Sequence, residues 1–395
     1  MVLMVRKLSF ADKMENLGTE TAFEVLAMAK ELERKGVDIV HLEIGEPDFD
    51  TPQNIKEAAS KALKAGFTHY TPAPGILELR EAIAEKISEN RGIDVDPNRE
   101  VVVMPGAKPC LFTGILATVN PGEEVLLPNP AFPIYESVVR YMGAVPVAVP
   151  LREENDFRLR PEDVEERVTN RTKLLVINSP HNPCGSSLLK EDVEGLADIA
   201  RKENLWVMSD EVYSEVRYEG GHYSIASEPG MKERTILIDG FSKTYAMTGW
   251  RLGYAVANPE VIVHMVRLQI NICSCATAFV QKAAVEALKG PQDSVKRMVD
   301  EYNRRRKAIV SGLNSIRGFS CKMPSGAFYV FPNVKKLGMK SEKLMRLILN
   351  KAHVAVLHGD CFGKYGEGYL RLSYATSLET IKEGLNRIKK LVESL

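Results

Sequence analysis

The sequence predicts an α/β protein with a mostly parallel central sheet, helices on both faces of that sheet, and a smaller α+β part. Short apolar runs such as VVVM (101–104) and LLVI (174–177) have the length and continuous hydrophobicity of strands buried on both faces. These runs alternate with amphipathic segments of helical length, which is typical of parallel sheets. A chain of 395 residues also exceeds the usual size of a single hydrophobic core, so we expect two domains.

The strand candidates of the sheet are, in order, EVVVM, EVLLP, KLLVINSP, NLWVMSDE and TILIDG. Helices are predicted from near Ala107, from near Pro133 and from about Lys190. After Gln292 the pattern changes to long helices and then to the short strands GAFYVFP, HVAVLHG and YLRLSYA. We therefore expect a large domain over 49–291. The small domain would combine 1–48 with 292–395, because the long N-terminal helix precedes the first sheet strands.

Composition excludes several classes of function. Lys plus Arg and Asp plus Glu number 52 each, so the chain has no basic field for nucleic acid or for a membrane surface. The apolar runs are too short to span a bilayer, and MVLMVRKLSF lacks the core of a signal peptide. Six cysteines and seven histidines show neither a disulfide framework nor metal-ligand spacing. These features predict a cytoplasmic protein without a metal.

Polar residues follow several strand candidates directly: NSPHNP follows one, SDEVY a second and DGFSK a third. Because ligands of such sheets bind at the carboxyl ends of the strands, we expect a site there. Lys243 lies in the turn after TILIDG, and Arg251 follows shortly after. A lysine amine can serve as a nucleophile, and an arginine can hold an anion. The alternative is a solvated surface turn.

Two further groups suit a charged ligand. Asp210 ends the strand LWVMSD, where its carboxylate can stabilise a cationic ring or can simply cap a helix. Gly106, Ala107 and Lys108 open a helix directly after VVVMP. Backbone amides at that position suit a phosphate, although an ordinary strand–helix turn explains them equally well.

Three residues suit a flat, polar ring. Tyr213 can donate a hydrogen bond to it or can pack in an amphipathic helix. Asn182 lies in a turn marked by proline and glycine, and the roles of turn former and ligand are compatible. Phe132 can stack on a ring or fill the core.

Taken together, the motifs give the chain a resemblance to a known family. The sequence resembles the class I aminotransferases of fold-type I, which depend on pyridoxal 5′-phosphate, and within them it is most similar to the aspartate aminotransferases. The motifs that carry the resemblance are spread in family order over nearly the whole chain: EIGEPDFDTP, HYTPAPGILELREAI, GAKPCLF, NSPHNPCG, SDEVY, FSKTYAMTGWRLGY and GEGYLRLSYA. Each motif alone is weak to moderate, whereas their ordered combination is highly specific.

The resemblance assigns the cofactor contacts. It implies that Lys243 forms the Schiff base with the cofactor and moves the proton between the substrate Cα and the cofactor. Asp210 would pair with the pyridine nitrogen, and Tyr213 and Asn182 would donate to the phenolic oxygen. Phe132 would stack on the ring.

The phosphate and substrate contacts follow from the same resemblance. Arg251 would bind the cofactor phosphate together with Ser242 and the turn of Gly106, Ala107 and Lys108. Tyr70 would reach the phosphate in the neighbouring subunit, which implies a homodimer with shared active sites. Arg371 would grip the α-carboxylate of the substrate, with the backbone of Gly45 and the amide of Asn182 nearby.

The sequence departs from the family pattern at three positions. Gly240 stands where the family often has a phosphate-binding serine, so that hydrogen bond is missing or is supplied by Ser242, Thr244 or water. Cys184 replaces a threonine, a change that a small buried residue should tolerate. His358 stands where a proline is common.

The resemblance implies transfer of an amino group from an L-amino acid to a 2-oxo acid. Lys108 occupies the place of a lysine that faces the distal carboxylate in some aspartate-using members, which predicts aspartate or glutamate as substrate. The alternative is that Lys108 faces solvent and has no influence on substrate specificity. Broad or aromatic specificity, or β-elimination on the same fold, are the alternative functions.

Overall fold

The computed structural model describes residues 8–395. The helices are α1 Thr21–Arg34, α2 Gln53–Lys64, α3 Leu77–Arg91, α4 Ala107–Thr118, α5 Ile134–Tyr141, α6 Pro161–Glu165, α7 Lys190–Lys202, α8 Phe241–Thr244, α9 Pro259–Cys273, α10 Ala278–Lys289, α11 Asp293–Asn314, α12 Ser341–Leu347 and α13 Leu378–Glu393. The strands are β1 Val40–His41, β2 Val101–Met104, β3 Glu124–Asn129, β4 Val145–Pro150, β5 Thr172–Asn178, β6 Trp206–Asp210, β7 Thr235–Gly240, β8 Gly253–Val256, β9 Tyr329–Val330, β10 Val354–Ala355, β11 Leu357–His358 and β12 Leu370–Ser373.

The central sheet has seven strands in the order β2-β8-β7-β6-β5-β3-β4. Strand β8 runs antiparallel to both of its neighbours, whereas the other strands run parallel to one another. Strands β2, β3, β6 and β7 are apolar and almost wholly buried, as strands covered on both faces must be. The prediction of an α/β fold with a mostly parallel sheet is therefore confirmed, as are the helix starts at Ala107 and Lys190.

A second group of short strands lies beyond this sheet. Strand β12 pairs antiparallel with β11 and with β9, and β1 pairs parallel with β10. The β1–β10 pairing ties the N-terminal segment to the C-terminal part of the chain. Helices α11 and α13 pack against each other beside these strands, and Tyr302 and Phe328 are fully buried among them. These contacts support, as a proposal, the grouping of 8–48 with 292–395; residues 1–7 of the predicted range 1–48 lie outside the described residues.

The parallel direction of β5, β6 and β7 brings their carboxyl ends to one edge of the sheet. Asn178 at the end of β5 is paired in register with Asp210 at the end of β6, and Asp210 is paired with Ile238 in β7. Helix α8 follows β7 directly and carries Lys243. No helix within residues 8–395 is long and apolar enough to cross a membrane.

Candidate active site

A cavity of about 450 Å³ opens at the carboxyl edge of the sheet. Most residues predicted for the site line it: Gly45, Ala107, Lys108, Phe132, Asn182, Asp210, Tyr213, Ser242, Lys243, Arg251 and Arg371. Gly106 lies immediately beneath it and Tyr70 lies outside it, as described below. The structure thus brings together residues that are up to 326 positions apart in the sequence.

Lys243 projects into this cavity from α8. Its Nζ donates a hydrogen bond to the carbonyl oxygen of Gly45 at 2.7 Å. Burial lowers the pKa of Lys243 to about 8; the carboxylate of Glu46 opposes the shift, and the positive charges of Arg371 and Lys108 add to it. A lysine in this environment is neutral in a substantial fraction of molecules near neutral pH, which a nucleophile or a general base requires.

Asp210 is a buried carboxylate with no cationic side chain in salt-bridge contact among residues 8–395. Its Oδ2 accepts a hydrogen bond from the Tyr135 hydroxyl at 2.6 Å, and its Oδ1 accepts one from the backbone amide of Val212 at 3.3 Å. Burial raises the pKa of Asp210 to about 6, although both hydrogen bonds oppose the rise. A cationic group in the cavity would hold this carboxylate in its charged form.

The start of α4 and Arg251 form a cradle for an anion. Helix α4 begins after Gly106, which has a φ of 104° and gives the helix no side-chain cap. The first amides of α4 therefore point outward without a capping side chain. The φ of 104° favours glycine here, and a Cβ on Gly106 would also lie 2.6 Å from an Nη of Arg251, so a larger residue would displace the guanidinium. Free amides at a helix start next to an arginine are suited to a phosphate.

Arg371 is the second cation of the cavity and is only 4% exposed. Its Nη1 donates to Oδ1 of Asn182 at 3.2 Å, and its Nη2 donates to the backbone carbonyl of Glu43. Its Nε is buried without a hydrogen-bond partner in the described part of the chain. A buried guanidinium with an unused donor and no paired carboxylate is suited to a carboxylate ligand.

Tyr213 and Asn182, which are predicted to donate to a polar ring, are held in place by hydrogen bonds to neighbouring residues. The Tyr213 hydroxyl hydrogen-bonds the Tyr329 hydroxyl at 2.8 Å, and the backbone amide of Asn182 donates to Oδ1 of Asn178 at 2.9 Å. A Cβ on Gly45 would lie 1.9 Å from the Tyr329 hydroxyl. Glycine at that position is therefore a condition for the close approach of the two chain segments.

Tyr70 does not reach the cavity of its own subunit. Its side chain is 88% exposed. The predicted contact of Tyr70 with the cofactor phosphate of a neighbouring subunit therefore stays a prediction.

The three departures from the family pattern are compatible with the fold. A Cβ on Gly240 would lie 3.2 Å from Cα of Gly253, because the two residues are paired across β7 and β8. Ser242 lines the cavity, whereas Thr244 is buried away from it, so Ser242 is the better placed to replace the missing phosphate contact. Cys184 is buried, as the swap from threonine requires.

His358 and the neighbouring Cys361 do not form a second reactive site. The Cys361 thiol donates to the carbonyl of His358 at 2.9 Å, and burial raises its pKa to about 12. A thiol that remains protonated is a poor nucleophile. Within residues 8–395, no cluster of His, Cys, Asp or Glu is placed to hold a metal ion.

Several lining residues were not predicted from the sequence. Tyr135 and Asn178 position Asp210, and Tyr329 contacts Tyr213. Glu20 and Phe23 close the cavity from the N-terminal side. Asn178 ends a predicted strand and was detectable by its position, whereas Glu20 lies far from every motif and carried no signal.

This donor set fits pyridoxal 5′-phosphate. The cavity has an amine that can be neutral, a buried carboxylate without a cationic partner, a helix start next to Arg251, and Phe132 on its wall. These four groups match, in the same order, four features of the cofactor: its aldehyde, its pyridinium nitrogen, its phosphate and its flat ring. A sheet of this topology with such a site defines a fold-type I enzyme of the pyridoxal 5′-phosphate-dependent class.

Comparison with known proteins agrees with this class. Residues 37–388 match the family described as Aminotransferase class I and II. The chain is 49% identical over 358 residues to an aspartate aminotransferase of Pyrococcus abyssi, covering 90% of this chain and 92% of that protein. It is 43% identical over 389 residues to aromatic-amino-acid aminotransferase 2 of Thermococcus litoralis, covering 98% and 99% of the two chains.

A solved structure of aspartate aminotransferase from Thermus thermophilus with maleate superposes with a TM-score of 0.94 at 38% identity, covering 98% of this chain and all of that one. The chain belongs to the class I and II aminotransferase family. It is an aminotransferase that depends on pyridoxal 5′-phosphate.

Proposed function

We propose that this aminotransferase transfers the amino group of L-aspartate or L-glutamate to a 2-oxo acid. The observation that carries the proposal is the pair of cations at the cavity. The buried Arg371, with its unused Nε, suits the α-carboxylate, and Lys108, which lines the same cavity, suits a distal carboxylate. The relative of known structure with maleate, a four-carbon dicarboxylate, supports a site for two carboxylates.

The side chains of this chain divide the chemistry between them. Pyridoxal 5′-phosphate, when bound, supplies an electron sink for the carbanion formed at the substrate Cα. Lys243 acts as the base that takes the Cα proton, and its burial keeps the amine available in neutral form. Asp210 holds a proton at the ring nitrogen through opposite charge.

Other residues orient the reactants. Tyr213 and Asn182 would hold the ring oxygen of the bound cofactor by donating hydrogen bonds, and Phe132 would pack on its ring. Arg251, Ser242 and the turn at Gly106, Ala107 and Lys108 hold the phosphate. Arg371 and the backbone at Gly45 fix the α-carboxylate, so that the Cα–H bond faces Lys243.

Aromatic amino acids are the second candidate substrates. Phe23, Phe132 and Leu111 give the cavity an apolar wall close to Lys108. The relative from Thermococcus litoralis, named an aromatic-amino-acid aminotransferase, supports the same candidate.

The visible absorption spectrum of the holoenzyme tests the proposal. We expect L-aspartate, added without an acceptor, to abolish the visible band of the lysine-bound cofactor, because the amino group is transferred in one half-reaction. A band that L-aspartate and L-glutamate both leave unchanged but that L-phenylalanine abolishes would favour the aromatic candidate. Release of pyruvate and ammonia from cysteine conjugates would instead reveal β-elimination.

We further propose that the protein acts as a homodimer in the cytoplasm, with Tyr70 completing the phosphate site of the partner subunit. The support for this is the high exposure of Tyr70 and its absence from the cavity of its own subunit.

A further inference from the structure

Lys108, the residue proposed to receive the distal carboxylate, already has an anionic partner within the chain. Its Nζ forms an ion pair with Oε1 of Glu20. Glu20 immediately precedes α1 and lines the cavity together with Ala22 and Phe23. The ammonium that would attract an acidic substrate is therefore neutralised by a side chain at the cavity wall.

The surroundings of this pair are apolar on both sides. The Lys108 ammonium lies 5.3 Å from the ring centre of Phe132 and 5.9 Å from that of Phe23. The charge of Glu20 also reaches the cavity interior: burial is the main cause that raises the pKa of Tyr329, and Glu20 adds to the rise. Glu20 thus belongs to the electrostatics of the site, although no cofactor contact is assigned to Glu20 itself.

The ion pair is partly open to solvent, with side-chain exposures of 40% for Lys108 and 23% for Glu20. Ion pairs at such positions contribute little net free energy, because solvent screens them and two long side chains must be held in place. A competing carboxylate can therefore replace Glu20 at low cost.

We propose that Glu20 determines the substrate specificity of this enzyme as a displaceable counter-ion of Lys108. An aspartate or glutamate side chain takes the place of the Glu20 carboxylate on Lys108. With an uncharged or aromatic substrate the ion pair stays closed, and the substrate contacts the apolar wall of Phe23 and Phe132. The inference rests on the proposed substrate site, and it gives one cavity a way to receive either class of side chain.

The proposed role of Glu20 predicts that dicarboxylate and aromatic ligands respond differently to substitution. Removing the charge of Glu20 frees Lys108, so it should strengthen dicarboxylate binding and leave aromatic monocarboxylate binding nearly unchanged. Removing the charge of Lys108 should weaken dicarboxylate binding. Once the charge of Lys108 is removed, Glu20 no longer competes with the ligand for that ammonium. The Glu20 carboxylate would then affect dicarboxylate binding only through its own repulsion of the ligand.

Calorimetric titration of the holoenzyme with two unreactive ligands tests this inference. Succinate represents the dicarboxylates, and 3-phenylpropionate represents the aromatic monocarboxylates. For Glu20→Gln and Glu20→Ala we expect the Kd of succinate to fall about two- to fivefold, the range that a partly exposed ion pair can supply. The Kd of 3-phenylpropionate should change by less than about twofold, because this monocarboxylate has no second carboxylate to pair with Lys108. A twofold change in Kd is well under 1 kcal/mol. Lys108→Met should raise the Kd of succinate.

Glu24→Gln is the matched control, because Glu24 is an exposed residue of the same helix and does not line the cavity. It removes the same charge and should leave both Kd values unchanged. Unchanged or weaker succinate binding in both Glu20 variants would overturn the inference, as would equal strengthening in Glu24→Gln.

Failure of the proposed function has a different signature. A wild-type enzyme that transfers nitrogen from neither aspartate nor glutamate would overturn that function. If the Glu20 variants of such an enzyme then gained succinate binding, the counter-ion role would still hold. If they gained none, both proposals would fail.

Discussion

Tyr135, which the sequence did not predict, contacts Asp210, the carboxylate that we propose pairs with the cofactor ring. Its hydroxyl donates to Asp210 at 2.6 Å, and its side chain is almost wholly buried in α5. A hydrogen bond donated to the charged form of a carboxylate stabilises that form. Tyr135 therefore counteracts the burial that raises the pKa of Asp210.

Replacing Tyr135 with phenylalanine should lower kcat/KM about ten- to hundredfold, since a hydrogen bond to a charged group contributes about 1.5–3 kcal/mol. The acidic limb of the pH–rate profile should move to higher pH, because Asp210 loses a group that lowers its pKa. Steady-state kinetics over a pH series measure both effects. Tyr141→Phe, at the other end of α5 and outside the cavity, is the control. Loss of activity without a shift of the profile would indicate only a packing role.

Lys243 offers a test that needs no cofactor. Burial places its pKa at about 8 in the folded chain, below the value of about 10.4 for a lysine in a model peptide. Only the neutral amine reacts with acetic anhydride, so labelling of Lys243 in the cofactor-free protein should rise as the pH increases through about 8. Mass spectrometry of trace-labelled protein measures the midpoint. A midpoint equal to that of a model-peptide lysine would contradict the buried, cation-rich environment described for Lys243.

The sequence identified the residues whose chemistry is tied to a motif, and it missed those that act through them. Asp210 and Lys243 follow predicted strands, so the sheet alone places them at one edge. Tyr135 and Glu20 are brought in by tertiary packing between segments 75 and 88 positions apart. No local pattern encodes such a contact, because tyrosine in a helix and glutamate before one are ordinary surface or core residues.

The contact between β8 and the start of α4 controls the shape of the phosphate cradle. Gly253 begins β8 and pairs with Gly240 at the end of β7. A Cβ on Gly253 would lie 2.5 Å from the backbone nitrogen of Ala107 and 2.7 Å from the carbonyl carbon of Gly106. Backbone atoms cannot rotate away as a side chain would, so α4 can start here only if residue 253 is glycine.

We expect Gly253→Ala to destabilise the protein by about 1–3 kcal/mol, the usual range for overpacking a tight contact. The Tm of the cofactor-free protein should fall, and the affinity for inorganic phosphate should weaken because the cradle is displaced. Differential scanning calorimetry with and without phosphate measures both. Gly249→Ala is the matched control, since a Cβ there meets no atom within 4 Å. Equal Tm values for the two variants would show that the turn adapts freely.

The strands with continuous apolar sequence and their mostly parallel direction were predictable, whereas the antiparallel direction of β8 was not. The runs that became β2, β3, β5, β6 and β7 are short, apolar and separated by helical segments, so their burial follows from composition. Strand β8 has the same apolar character but runs antiparallel to β7, and the twelve residues that connect the two strands hold the short helix α8 with Lys243. The two-residue pair of β1 and β10 is too short for any periodicity to be recognised.

The surface of the whole subunit carries an apolar region that suits a second copy of the chain. Val263 and Ile270 lie seven residues apart on α9 and are more than half exposed, so they share one face of that helix. The segment that follows Tyr70 is anchored to α10, because the side-chain amide of Gln281 donates a hydrogen bond to the hydroxyl of Thr71 at 3.0 Å. Tyr70 is thus an exposed residue next to an anchored segment, which suits a residue that completes the site of a partner subunit.

A hybrid dimer decides between a shared and a separate active site. Lys243→Ala and Tyr70→Ala chains carrying different tags are co-expressed, and the hybrid is purified through both tags. If Tyr70 serves the partner, one site of each hybrid contains both Lys243 and Tyr70, and we expect about half of the wild-type activity per dimer. If Tyr70 serves its own subunit, each site lacks one residue and the hybrid stays as inactive as the parental variants. Recovery of activity would therefore establish that each subunit supplies the other with a residue that its own cavity does not contain.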